Sequence, residues 1–362
     1  MKRITDKALI RAVSAFLQPA ALTAVFLLSG SCTKNPDEGV LPGKGREIAI
    51  STRLDAAPVV QSDAPGNGTK APVADGAADA GAVLSDMHFL RKNGATMQTD
   101  FSGVTALTAS RDAAGKITFG TVPTYDKGNS NAWFTAYWPT TSAGGAAVTA
   151  GTKVVWTIAG DQDILLSTLD AAKSYDAGKY TAPVSTGMTL QHVLAQLQVV
   201  CTADSSMDQA IVRAAWGKIT KIEILTSPAS VTYTYSTNAL TYGAAGAVSL
   251  WKPDYTGKFE GQSLDLVKGS TTVVAAGMYP PSAGAVKLKI YSERVTSGKE
   301  VSVQLRSGGT NMNFERGLTH KITLSFGALP QQITATSSIT PWAAASDAEA
   351  DKPEGIDPDL PF

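Results

Sequence analysis

From Lys116 onward the chain alternates. "KITFGTV" (116–122), "WFTAYWP" (133–139) and "KVVWTIAG" (153–160) put apolar residues at every second position, the spacing of a strand with one buried face. "ILLSTL" (164–169) is a short unbroken apolar run, read as a buried strand. In "LAQLQVVCTA" (194–203), Leu197, Val199 and Cys201 share a face, and in "KITKIEIL" (218–225) Ile222 and Ile224 alternate with Lys221 and Glu223. "SVTYTYS" (230–236), "AVKLKIY" (285–291), "KEVSVQLRS" (299–307) and "HKITLSFG" (320–327) repeat the form. Turn signals such as "KGS", "SGK" and "SGG" separate the runs. Only "SMDQAIVRAAWG" (206–217) reads as a helical turn or two. Many alternating strands joined by short turns predict antiparallel β-sandwiches. A chain of 362 residues needs two of them, with the boundary near Ala182 to Gly187.

The ends of the chain are different. Lys2, Arg3, Lys7 and Arg11 precede "PAALTAVFLL" (19–28), an apolar stretch of secretory-signal length that is too short to span a bilayer. Ser29, Gly30, Ser31 and Cys32 follow. This resembles a bacterial lipobox, in which a lipid is joined to the cysteine and the leader is removed, although Ser29 stands where leucine is preferred. The expected organisation is a signal peptide (1–31), a lipidated linker (32–46), an N-terminal sandwich (47–184), a C-terminal sandwich (185–342) and a mobile acidic tail (343–362). "REIAISTR" (46–53) alternates as a short strand. Residues 55–82 are rich in Ala, Gly, Pro and Asp and read as an exposed loop.

Charge and chemistry narrow the function. Lys plus Arg equals Asp plus Glu at 31 each, so no basic field suits nucleic acid. Removing residues 1–31 leaves 27 bases against 30 acids, a mildly acidic chain. Cys201, in "LQVVCTA", reads as a small buried hydrophobe. His88, His192 and His320 are far apart and none has metal spacing. No nucleophile elbow or phosphate-binding loop occurs, so no catalytic residue, metal ligand or cofactor is expected beyond the covalent lipid on Cys32.

Several segments, taken in order, resemble the fimbrillin family, the lipoprotein precursors of type V pili. They are "FTAYWP" (134–139), "DILLST" (163–168), "LQHVLAQLQVV" (190–200), "VVAAGMYPP" (273–281) and "GLTHKITLSFGALPQQITATSSITPW" (317–342). Leu190 departs from the family, which often has an aromatic two residues before the histidine. The resemblance implies two transthyretin-like sandwiches in a non-enzymatic, surface-exposed subunit held to the outer membrane by its lipid. It implies assembly with other pilus subunits by strand exchange, and adhesion to a host or glycan ligand. A protease removes the first strand and a neighbour supplies another. The strand expected to leave is Glu47 to Thr52, with Ile48 and Ile50 as its plugs. Arg53 is the expected cut site and Lys70 the second; a cut at Arg46 would leave the strand in place. "QITATSSITPW" offers Ile333, Ala335 and Ile339 on one face as a supplied strand. The rival reading is a lipid-anchored module that never polymerises, with Trp133, Tyr137, Trp138 and Trp156 as a glycan-stacking platform.

Overall fold

The computed structural model describes residues 46–54, 83–140, 147–149, 152–167, 174–184, 187–307, 309–328 and 332–341. Cys32, Lys70, the expected signal peptide and the expected acidic tail lie outside the described residues. Within them the protein is an all-β sandwich architecture with one α-helix, Gln209–Trp216.

The first sheet runs, neighbour to neighbour, through Thr52–Leu54, Met188–His192, Leu165–Leu166, Asn131–Trp138, Leu84–Gly94, Leu107–Arg111 and Ile117–Phe119. Alternation sends Phe134, Ala136 and Trp138 to one face. There they join a core with Ile48, Ile50, Phe89 and Leu190. Tyr137, on the opposite face, enters a larger core. Asn131–Trp138 is therefore covered on both faces, which is why its last residues read as an almost continuous apolar run.

The larger core is closed by two four-stranded sheets. One is ordered Val273–Tyr279, Ala195–Ala203, Leu318–Phe326, Ile333–Pro341; the other Ala245–Ser249, Ile219–Pro228, Val286–Ser292, Lys299–Val303. Val199, Cys201 and Leu324 from the first and Ile222, Leu288 and Ile290 from the second are fully or almost fully buried. A fourth sheet joins Lys153–Thr157 to Ser230–Thr234 in register, Trp156 opposite Val231. Sheet membership thus crosses residues 184/185: Met188–His192 lies in the first sheet, and the 230–242 hairpin pairs with a strand from before the boundary.

Most pairings are antiparallel. Among the described strands two pairs are parallel: Thr52–Leu54 with Met188–Leu190, and Gln196–Ala203 with Thr319–Phe326. The helix begins where Asp208 accepts from the Ala210 N–H at 2.7 Å, and it ends at Gly217 with φ 66°. It buries Val212 and Trp216.

Candidate functional site

The segment 46–54 bonds to both margins of the first sheet. On one side Tyr125 N–H donates to Arg46 O (2.7 Å), Ile48 N–H to Pro123 O (2.8 Å), Ile117 N–H to Ile50 O (3.1 Å) and Thr52 N–H to Gly115 O (2.6 Å). On the other, Met188 N–H donates to Ser51 O at 2.8 Å, and the parallel pairing continues to Leu54. This leading segment therefore closes the sheet into a ring around the smaller core. Its side chains alternate strictly: Ile48, Ile50, Thr52 and Leu54 are 1–3 % exposed, while Glu47, Ala49, Ser51 and Arg53 face out. Beside it lies an open cleft of about 430 Å³ lined by Arg46, Glu47, Ser51, Lys116, Tyr125 and Val184, among others.

Thr52 is the one polar group on the buried face, and it has a charged partner. Arg111, only 1 % exposed, donates from Nε to Thr52 Oγ1 (3.0 Å), from Nη2 to Thr52 O (3.4 Å) and from Nη1 to Asp112 O (3.2 Å). The Thr52 hydroxyl donates its own proton to Gly115 O at 3.2 Å. Burying a guanidinium is costly unless hydrogen bonds replace its water, and these do so. Gly115 permits the approach. Its φ is +81°, and a Cβ there would strike the Thr52 carbonyl. Arg111 is absent from the sequence expectations, yet a signal exists: Leu107, Ala109 and Arg111 share a phase, which puts a charge at an inward position.

At the other end of the chain, Ile333–Pro341 is an edge strand paired in register with Leu318–Phe326. Ile333, Ala335 and Ile339 pack on the larger core, and Ser337 lies on the same side, its Oγ accepting from Arg306 N–H at 2.9 Å.

The remaining expected residues fall as follows. Ile48 and Ile50 lie side by side in the ring. Arg53 is exposed and donates to Thr189 Oγ1 at 2.9 Å from within a paired strand. Tyr137, Trp138 and Trp156 are 0–4 % exposed, so they present no stacking face to solvent; half-buried Trp133 is tied to Gly94 O at 3.0 Å. Cys201 is buried in the larger core, and burial pushes its thiol up to about 12, away from reactivity. Among the described residues no group of three or more His, Cys, Asp and Glu is placed to hold a metal ion, and no helix is long and apolar enough to cross a membrane.

Each histidine has its own partner in the fold. His88 Nδ1 lies 2.8 Å from Tyr137 Oη, His192 Nδ1 lies 2.9 Å from Asp163 Oδ2, and His320 Nε2 accepts from Glu315 N–H at 3.1 Å. Burial lowers the pKa of His88, partly offset by Asp86, and lowers that of His320, partly offset by the Glu315 carbonyl 3.2 Å from Nε2, which favours the protonated ring. Both are expected to titrate below about 6.5, the unfolded value, when followed by NMR of their ring protons. As pH falls through that value the unfolded chain takes up these protons first. Their contribution to stability is complete above about 6.5 and declines below it. A midpoint above 6.5 for either ring contradicts the burial.

A model of the family described as fimbrillin-like matches residues 69–342. Among solved structures, the chain is similar to a proposed cell adhesion protein of Bacteroides uniformis (18% identity, TM-score 0.47, covering 82% of this chain and 98% of that one). It is also similar to one of Parabacteroides distasonis (11%, 0.48, 83% and 98%) and to the tip fimbrial protein Mfa3 of Porphyromonas gingivalis (12%, 0.39, 74% and 97%). No curated protein matches. Spanning most of the chain, the family match identifies the protein as a member of the fimbrillin-like family.

Proposed function

We propose that this chain is a lipid-anchored fimbrial subunit that assembles at the cell surface by exchanging its leading segment for a strand of a neighbour. One observation carries the reading: residues 46–54 fill a two-sided slot with period-two side chains, directly before a Pro/Gly-rich stretch that contains Lys70. Removing the segment exposes unpaired backbone groups and an apolar trough. A supplied strand restores about five to eight backbone hydrogen bonds, each contributing about 1 kcal/mol net. Every isoleucine-sized side chain it buries adds about 1.5–3 kcal/mol. This is β-augmentation with both sides of the added strand engaged. Arg53 and Lys70 are the proposed cut sites, Cys32 the proposed anchor and the outer membrane the proposed location; adhesion follows as a property of the fibre, and its ligand is a host surface or glycan.

The test is N-terminal sequencing and intact mass of surface-extracted protein, with electrophoresis in warm detergent. The expected result is an acylated precursor, a processed form beginning at Leu54 or Ala71, and a detergent-resistant ladder made only of the processed form. Monomer alone under every protease treatment sinks the proposal.

A further inference from the structure

Resting on that strand-exchange reading, we propose that Arg111 reads the incoming strand. It demands a hydroxyl at one position, and Ser337 from a second copy of this chain supplies it.

The slot is apolar at three positions and polar at one. From its N-terminal end it takes Ile48, Ile50, Thr52 and Leu54: apolar, apolar, hydroxyl, apolar. The hydroxyl is used twice, as acceptor for Arg111 Nε and as donor to Gly115 O. A valine has neither function. A carboxylate accepts from Arg111 but sets its charge against the Gly115 carbonyl. The slot is therefore matched to serine or threonine and not merely to polarity.

The inward face of Ile333–Pro341 reads Ile333, Ala335, Ser337, Ile339, which is the same order in the same chain direction. Laid into the slot with Ile333 at the place of Ile48, it puts Ser337 at Thr52 and Ile339 at Leu54. A shift of two residues one way sets Ile339 against Arg111 and Ser337 in the Ile50 site. The opposite shift puts Ala335 against Arg111 and Ser337 into the apolar Leu54 site. One register satisfies the buried guanidinium, so Arg111 fixes the register of the added strand as well as its chemistry. The outward residues Thr334, Thr336, Ser338 and Thr340 are exposed in the chain's own fold and remain on the solvent side.

The experiment cuts the purified full chain with an arginine- or lysine-specific protease in the presence of fluorescein-labelled synthetic peptides spanning 332–341. The native and Ser337→Thr peptides are expected to be captured. The Ser337→Val peptide, equal in shape to the threonine one, is expected to be captured at least tenfold less. On the Arg111→Met chain the two are expected to differ less than twofold; because that variant risks misfolding, the comparison on the unmodified chain decides alone. Equal capture of the serine and valine peptides by the unmodified chain overturns the hydroxyl requirement and leaves strand exchange standing. If sequencing shows residues 47–53 released and no peptide is held, or if they are never released, strand exchange fails and this inference fails with it.

Discussion

Trimming Ile48 and Ile50 to alanine is expected to free the leading segment while the larger core stays folded. Each truncation removes a fully buried branched side chain, at a cost of about 2–5 kcal/mol. The loss falls on an N-terminal segment that packs only on the smaller core, so it is felt as local opening before global unfolding. Even 2 kcal/mol raises the open population about 30-fold, at 1.4 kcal/mol per factor of ten. Limited digestion with an arginine-specific protease should then cut at Arg46 and Arg53 at least that much faster. Near-UV circular dichroism, to which the ring cluster of Tyr137, Trp156, Tyr233 and Tyr235 in the larger core contributes, should be largely retained. Wild-type cutting rates mean that these side chains do not hold the segment. Collapse of the aromatic signal means that the segment cannot be separated from the fold, which removes the premise of exchange.

The second large effect belongs to Trp216. Its ring is fully buried at the end of the helix, meets Phe326 edge-on at 5.0 Å, and donates from Nε1 to Gly327 O at 2.8 Å. Trp216→Ala is expected to destabilise the protein by about 3–5 kcal/mol, read as a fall in the urea midpoint at unchanged slope. Trp216→Phe restores packing but not the N–H, and should recover only part of the loss. A cost under about 1 kcal/mol for the alanine variant would show that the helix is not seated on this core.

Period-two patterning made most strands legible because most have one wet face. "KITFGTV", "KVVWTIAG" and "AVKLKIY" appear as Ile117–Phe119, Lys153–Thr157 and Val286–Ser292. Alternation fails as a guide where both faces are covered. In Ala195–Ala203 the second face carries Gln196 and Gln198, buried because Gln196 accepts from Thr319 Oγ1 at 2.7 Å and donates to Tyr255 Oη at 3.2 Å. Local pattern also says nothing of partners. The parallel pairing of residues 196–203 with 319–326, and the hairpin that reaches back to Lys153–Thr157, are long-range choices made by the cores. At the site, the alternation of Ile48 and Ile50 was readable. Arg111 was not singled out, because a single inward cation has meaning only once Thr52, 59 residues away, is seen to face it.

The parallel docking of the leading segment also sets an order of events during biosynthesis. Arg53 and its partner Thr189 are 136 residues apart. At about 5–20 residues per second, the ribosome completes the second roughly 7–27 s after the first. Residues 46–54 are made before either of the two sheet margins they join, so the ring cannot be complete until Leu190 has been made.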